Sequence, residues 1–251
     1  MVSVGDEREQ SWRDWWRRPV GRRLLREEQE LLAVVCARCP GQRALLIGSG
    51  ASCYLPAAQR LAHSIVLQSS AAAPGTLIGL AEALPLAAES VDLVVLHHAL
   101  DQALRPRAVL RETLRVLRPG GHVIICGFNP WGLWRLLRWF GLGQPGPAGL
   151  SISVSHLGDW LELLDCAMED IDFAGFDPPQ DHAAGYVWRL LTAALFRRRR
   201  ALAAVYMVLA RKRERRLLAP PRRPLVWGMA QPSWRDLHVH TCRPRRSLMS
   251  R

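Results

Sequence analysis

The sequence predicts an α/β protein built on a doubly wound, seven-stranded and mostly parallel sheet. Short apolar segments alternate with segments whose apolar residues recur at helical spacing, which is typical of parallel strands joined by helices. Right-handed crossovers then place helices on both faces of the sheet. The Pro-rich segment before the last predicted strand favours an antiparallel end strand. Apolar residues make up 49% of the 251 residues, enough for a substantial core.

The predicted elements follow one another in a regular order. Residues 11–39 have helical periodicity around Pro19, and Pro40-Gly41 ends this segment. The predicted strands cover residues 44–47, 65–67, 76–80, 91–96, 122–127, 171–173 and 204–209, and the helices between them cover about residues 51–62, 106–118, 155–166 and 185–200.

A Pro-Gly-Gly motif at residues 119–121 lies between the predicted helix 106–118 and the strand 122–127. Pro119 has no N–H and disfavours the helical conformation of the residue before it, so it is expected to end the helix. Gly120 and Gly121 permit a sharp reversal of the backbone. The motif is therefore predicted to be the turn between helix and strand.

The chain divides into three predicted segments of different composition. A helical segment covers residues 1–40, a main domain covers residues 41–212, and an Arg/Pro-rich tail at residues 213–251 is predicted to be disordered. Residues 211–251 contain twelve of the 34 Lys and Arg residues but two of the 22 acidic ones. The net charge of +12 therefore belongs mainly to the tail.

The sequence predicts a cytoplasmic protein with no built metal site. Its longest apolar run, at residues 201–210, is too short to span a bilayer, and no secretory signal pattern follows Met1. Cys36 and Cys39 have no second Cys pair at zinc-ribbon spacing. His238, His240 and Cys242 fall in the tail, where accidental metal affinity is more expected than a built site.

Three stretches carry a resemblance to a known family. They are ALLIGSGAS, LAEALPLAAESVDLVVLHHALDQ and PRAVLRETLRVLRPGGHVIICGF. Together they resemble class I S-adenosylmethionine (SAM) methyltransferases of the ubiquinone/menaquinone-methyltransferase-like superfamily, close to a group of small uncharacterised bacterial members. The resemblance covers residues 11–212. It implies a Rossmann-like methyltransferase domain at residues 41–212, SAM as cofactor, and methyl transfer to a small molecule that can be apolar.

The resemblance also implies where the cofactor binds, beyond the carboxyl ends of the strands. The corresponding residues of this chain are Gly48, Ser49, Gly50, Gln68, Ala81, Glu82 and Leu96. Leu46, Gln68 and Leu80 stand where the family usually has acids, and Ser52 replaces a glycine. Either other groups, such as backbone atoms, Glu82 and His97, hold the cofactor, or the chain is a non-catalytic binding protein with a degenerate SAM pocket.

His97 and His98 are the candidate catalytic residues. They follow the fourth strand at the place that faces the methyl donor in this family, so either can orient substrate or act as a base. The alternative is structural, with one of them pairing with Asp101 or packing against the next helix. Because SAM already carries an activated methyl group, alignment alone can supply most of the acceleration.

An insertion rich in Trp, Gly and Pro follows the fifth strand at residues 128–150. It is predicted to be a lid over the acceptor side, with Asn129, Trp131 and Trp134 as substrate contacts. Two alternatives are contact with a membrane interface and packing against the N-terminal tryptophans. The Arg run at residues 197–200 and the tail can also bind phosphates of nucleic acid or anionic lipid, which leaves a nucleic-acid methyltransferase as a further alternative.

Overall fold

A computed structural model describes residues 4–48, 63–68, 77–132, 134–135, 149, 151–175 and 203–214. Its centre is a seven-stranded sheet with the order β3-β2-β1-β4-β5-β7-β6. The strands are β1 (Arg43–Ile47), β2 (His63–Gln68), β3 (Leu77–Ile78), β4 (Val91–His97), β5 (Leu117–Phe128), β6 (Cys166–Ala174) and β7 (Val205–Lys212). The pairings from β3 through β5 are parallel, and β7 is antiparallel to both β5 and β6. The predicted fold class is confirmed, and the antiparallel strand is β7, the last strand in the chain, which lies between β5 and the edge strand β6.

The described helices are α1 (Val4–Arg17), α2 (Pro19–Cys36), α3 (Ala99–Gln102), α4 (Pro106–Val116) and α5 (Val154–Leu163). The predicted N-terminal helical segment is two helices, because Pro19 occupies the first turn of α2 and cannot continue the hydrogen bonding of α1. The helices predicted at residues 51–62 and 185–200 lie outside the described residues.

The structure corrects the predicted role of the Pro-Gly-Gly motif. Helix α4 ends at Val116 and β5 begins at the next residue, so the motif lies inside the strand. Val91 of β4 pairs with Leu117, and Leu93 pairs with His122, which leaves residues 118–121 as a bulge. Pro119 cannot donate a hydrogen bond to the neighbouring strand, and a bulge removes that demand. Gly120 has a φ of +75°, a conformation that favours glycine.

Apolar side chains cover both faces of the sheet. Alternate residues of β1 point to opposite faces, so that Leu45 and Ile47 join the core on one side and Ala44 and Leu46 join the core on the other. The first core includes α3, α4 and α5, whereas the second is closed by Leu32 and Val35 of α2. A third cluster, formed mainly by tryptophans of α1 and by α2, lies beside them.

Helices α1 and α2 lie in the same compact unit as the sheet, which spans Met1–Arg215. Residues Arg216–Arg251 are assigned to a second unit, which is outside the described residues. The domain boundaries expected at residues 40 and 212 stay predictions. None of the helices in the described part of the chain is long and apolar enough to cross a membrane.

Candidate functional site

The strand order reverses between β1 and β4, and ligands of open parallel sheets bind beyond the carboxyl ends of strands at such a point. Gly48 follows β1 directly and has a φ of +137°. A Cβ atom built on Gly48 would overlap the carbonyl oxygen of His97, the last residue of β4. Glycine is therefore required for the close approach of these two strand ends. Ser49 and Gly50, the next residues of the predicted cofactor loop, lie outside the described residues.

The other predicted cofactor residues lie on neighbouring strands or turns. Gln68 is the last residue of β2, where its backbone is in register with Ile78 of β3. Ala81 and Glu82 are half-buried in the turn closed by a bridge between Leu80 and Ala83. Leu96 is fully buried in β4. Parallel pairing brings Gly48, Gln68 and Leu96 to the same edge of the sheet, and their contact with SAM stays a prediction.

Four buried ionisable side chains form one connected cluster beside Gly48. His97 Nε2 donates a hydrogen bond to Glu28 Oε2 at 2.9 Å, and His98 Nε2 donates to Glu28 Oε1 at 3.0 Å. His98 Nδ1 donates to Asp101 Oδ2 at 2.8 Å. All four residues are at most 1% exposed. The predicted catalytic histidines are thus joined by one carboxylate and fixed by a second.

Glu28 is the member of this cluster that the sequence analysis missed. Its position on α2 is four residues from both Leu24 and Leu32, so it lies in the buried apolar stripe of the helix. A glutamate in such a stripe is rarely buried without a partner, and that irregularity was the available signal. Its partners, His97 and His98, are about seventy residues further along the chain, so local pattern alone could not identify them.

The cluster separates the protonation states of the two histidines. Burial alone would raise the pKa of Glu28, but the charge of His98 and hydrogen bonds from both histidines lower it to about 2. Burial lowers the pKa of His97 to about 4, against the opposing effect of Glu28. Burial also opposes the charged form of His98, but Glu28 and Asp101 raise its pKa to about 9. At neutral pH an imidazolium at His98 is therefore held between two carboxyl groups, next to a neutral His97.

Asp101 connects the cluster to the end of β5. Its Oδ2 accepts a hydrogen bond from the backbone N–H of Phe128 at 2.9 Å, in addition to the one from His98. Burial raises the pKa of Asp101, while the hydrogen bond and charge of His98 act in the opposite direction. The contact between His98 and Asp101 is the structural arrangement that the sequence left open. A direct catalytic role for either histidine stays a prediction.

Aromatic rings cover the two histidines. The ring centroid of His98 lies 5.7 Å from Trp12, 5.3 Å from Trp16 and 4.4 Å from Phe128. The ring of His97 lies 5.1 Å from Trp16. These rings keep water from the cluster, which strengthens the interactions between its charged groups.

The described part of the aromatic insertion packs partly against α1. The ring of Trp134 lies 6.1 Å from Trp15, whereas Trp131 is 78% exposed. Asn129 fixes the start of the insertion, because its Nδ2 donates to the Ala203 carbonyl and its Oδ1 accepts from the Trp131 N–H. The packing of Trp134 is thus observed, and the substrate contacts of Asn129, Trp131 and Trp134 stay predictions.

The titration of the cluster predicts a stability maximum near pH 6.5. Because the folded-state pKa of His98 is raised from 6.5 to about 9, its stabilising contribution is lost as the pH rises through this interval. Because the folded-state pKa of His97 is lowered from 6.5 to about 4, its contribution is lost as the pH falls through that interval. Each proton changes the free energy of unfolding by about 1.4 kcal/mol per pH unit. Urea unfolding is expected to show roughly 2 kcal/mol less stability at pH 8 than at pH 6.5.

Two variants test which histidine causes this profile. His98→Asn should remove most of the loss between pH 6.5 and pH 8, whereas His156→Gln, at an exposed position of α5, should retain it. A wild-type free energy of unfolding that stays constant from pH 6.5 to pH 8 would contradict the raised pKa of His98.

Comparisons with known proteins agree with this architecture. Residues 46–125 match a family model described as a methyltransferase domain. The match extends from β1 into β5 and includes Gly48, His97 and His98. It therefore spans the two strand ends that meet at the point where the strand order reverses.

Two curated proteins are similar to parts of the chain. The uncharacterized protein YafS of Escherichia coli (strain K12) is 32% identical over 133 residues, which are 52% of this chain and 52% of YafS. The malonyl-[acyl-carrier protein] O-methyltransferase of Methylococcus capsulatus is 46% identical over 55 residues, which are 22% of this chain and 20% of that enzyme. The chain thus spans about half the length of the first relative and a fifth of the second.

Solved structures share the fold at low sequence identity. A SAM-dependent methyltransferase of Thermotoga maritima, described as a possible histamine N-methyltransferase, has a TM-score of 0.57 and 18% identity, with 81% of this chain and 96% of that chain covered. The [4+2]-cyclase SpnF has a TM-score of 0.52 and 16% identity, with 74% and 80% covered. At these identities the likeness supports the fold, since one fold can host different reactions.

The strand order and the antiparallel β7 belong to a fold that these solved structures share, and residues 46–125 match a methyltransferase domain. The domain match over residues 46–125 supports the resemblance to SAM-dependent methyltransferases that was stated from the sequence.

Proposed function

We propose that the chain transfers a methyl group from SAM to a small molecule. The observation that carries the proposal is the methyltransferase domain match across residues 46–125, which spans the β1 and β4 ends that meet at Gly48. SAM supplies a methyl group activated by its sulfonium. The chain supplies the alignment of donor and acceptor, which can account for most of the acceleration of an in-line displacement.

The residues at the strand ends fit this cofactor. Gly48 has no side chain that would keep a ligand from its backbone, and glutamine at residue 68 has an amide oxygen that can accept a hydrogen bond from a ribose hydroxyl. We propose Ser49, Gly50, Ala81, Glu82 and the backbone of Leu96 as further contacts. His97 and His98 then act by fixing the end of β4, because the Glu28 and Asp101 contacts hold both rings.

We propose that the acceptor is small and has an apolar portion. Trp131 is 78% exposed at the start of the insertion, and Trp134 is half-buried against Trp15. An exposed tryptophan beside a site offers a large apolar contact for an acceptor. Asn129 fixes the backbone at Trp131 and thus the position of this contact.

Calorimetry with the full chain tests the proposal. We expect SAM and S-adenosylhomocysteine to bind with one site per chain. Absence of binding of both at millimolar concentration would contradict the enzymatic proposal and favour a non-catalytic binding protein. Where binding is found, transfer of radiolabelled methyl groups from SAM to a panel of small acceptors then identifies the substrate.

Gln68→Asp is expected to tighten SAM binding by about tenfold, because a carboxylate gives stronger, charge-assisted hydrogen bonds to hydroxyl groups than an amide does. Gln68→Asn is the matched control, since it shortens the side chain equally without adding a charge. In calorimetry, the dissociation constant for SAM should be lower for Gln68→Asp than for the unchanged chain. For Gln68→Asn it should be equal to or higher than that of the unchanged chain. Equal affinities for the Asp and Asn variants would show that residue 68 does not contact the ribose.

A further inference from the structure

We propose that Glu28, His97 and His98 bind one divalent transition-metal ion of the Zn²⁺ class, with Asp101 orienting His98. The ligand set consists of two imidazole nitrogens and a carboxylate, supplied by α2, by the end of β4 and by the residue that follows it. The inference does not depend on methyl transfer, because it rests on the geometry of these side chains alone.

The spacing of the candidate ligand atoms is suitable for one ion. One oxygen or nitrogen atom of each side chain lies within 4.8 Å of the others. The carboxylate oxygens of Glu28 lie 2.9 Å from His97 Nε2 and 3.0 Å from His98 Nε2. Two ligand atoms bound at right angles to one ion, each at about 2.1 Å, would lie about 3.0 Å apart. The two distances from Glu28 to the imidazole nitrogens are therefore close to the spacing that one ion requires, and the two nitrogens lie within 4.8 Å of each other.

The surroundings of His98 match those of a metal-binding histidine. Such a histidine usually donates its other ring N–H to a carboxylate or a carbonyl group, which fixes the ring and its tautomer. His98 Nδ1 donates to Asp101 Oδ2 at 2.8 Å, and this leaves Nε2 directed at Glu28. Asp101 is itself held by the backbone N–H of Phe128. Asp101 would then contact His98, and His98 would bind the metal ion, as in other carboxylate–histidine–metal arrangements.

The backbone at His98 provides an independent observation. His98 has φ of 50° and ψ of 17°, a left-handed conformation that is uncommon for residues other than glycine. Such strain is retained where surrounding contacts require it, and it is enriched at functional sites. Here the left-handed conformation of His98 directs its ring toward Glu28, the carboxylate that also contacts His97. The rings of His97 and His98 lie 4.6 Å apart in an edge-to-face arrangement.

The proton balance follows from the hydrogen bonds. Coordination through both Nε2 atoms requires that neither nitrogen carry a proton. His98 releases its Nε2 proton to solvent and keeps the Nδ1 proton shared with Asp101. His97 is neutral and carries one ring proton, so its proton moves from Nε2 to Nδ1, which gives the other neutral tautomer with no net release. Binding of the ion should therefore release protons, and the affinity should increase as the pH rises.

The cysteines are weaker ligands than this cluster. Burial raises the pKa of Cys36 to about 12 and that of Cys39 to about 11, which opposes formation of the thiolate needed for metal binding. Within the described part of the chain, one group of three candidate ligand side chains has a spacing suitable for a metal ion, and it consists of Glu28, His97 and His98.

The test uses the full-length chain with the tail ligands removed by His238→Ala, His240→Ala and Cys242→Ser, so that adventitious binding there does not contribute. Purified protein is stripped with a chelator and titrated with Co²⁺ and with Zn²⁺ during calorimetry in two buffers of different ionisation enthalpy. We expect one ion per chain, release of at least one proton, and a visible Co²⁺ spectrum without a thiolate charge-transfer band.

Variants and X-ray absorption identify the ligands. Glu28→Gln and His98→Asn should each weaken binding by about tenfold to a hundredfold or more, whereas Cys36→Ser and His156→Gln should leave it unchanged. X-ray absorption of the Zn²⁺-loaded protein needs no variant in the cluster, so it decides the case if a variant fails to fold. Two imidazole ligands and no sulfur support the proposal. Sulfur ligation, substoichiometric binding, or unchanged affinity in folded Glu28→Gln would overturn it.

Discussion

Replacing Glu28 with alanine is expected to lower the free energy of unfolding by about 3–5 kcal/mol, among the largest effects of any single substitution in this chain. The carboxylate is fully buried and accepts hydrogen bonds from both His97 and His98. Without it, both histidines lose a partner in a site that water does not reach, and His98 retains only Asp101. Removing one partner of a buried charged pair leaves the other uncompensated, which is the physical reason for the large loss.

Glu30→Ala is the matched control for this prediction. Glu30 is on the same helix, two residues away, but its side chain is exposed. Its replacement should change the free energy of unfolding by no more than about 0.5 kcal/mol. Urea unfolding of both variants at pH 6.5 provides the measurement. Similar small changes in the two variants would show that the Glu28 contacts do not stabilise the fold.

Replacing Trp12 with alanine is the second large effect, with an expected loss of about 3–5 kcal/mol. Trp12 is fully buried, and its ring lies 5.7 Å from His98 and 5.9 Å from Phe128. Truncation removes a large apolar surface and leaves a cavity beside the charged cluster. Water entering that cavity would reduce the stabilising effect of Glu28 and Asp101 on the His98 imidazolium, so that the pKa of His98 should fall.

Trp131→Ala serves as the control, because Trp131 is also a tryptophan but is 78% exposed. We expect a change in stability within about 0.5 kcal/mol for Trp131→Ala. Thermal and urea unfolding measure the stability, and the NMR signals of His98 followed against pH measure its titration. A Trp12→Ala variant as stable as Trp131→Ala would mean that α1 does not seal the cluster.

Much of the sheet could be predicted because its signals are local. Continuous apolar runs identified β1, β2, β4, β5 and β7, since strands buried on both faces need few polar residues. The end of α4 and the bulge at residues 118–121 were harder to predict from the sequence. A Pro-Gly-Gly motif is compatible with either a turn or a bulge, and the register between β4 and β5 decides between them.

The roles of the two histidines were likewise not predictable from local sequence patterns. Their position after the fourth strand identified His97 and His98 as candidates, but whether they face a ligand or a partner depends on what α2 places against them. Glu28 occupies that position, from a helix about seventy residues earlier in the chain. No sequence period connects the two segments.

The sequence by itself determined the class of fold, the resemblance to a methyltransferase domain and the segment that carries the expected cofactor residues, because hydrophobic periodicity and short motifs are properties of neighbouring residues. The tertiary structure alone decided that Glu28 joins His97, His98 and Asp101, and that tryptophans of α1 cover them. The physical reason is burial. The protonation of these groups and their capacity to hold an ion depend on which charges and rings are packed together away from water, and only the folded chain sets those neighbours.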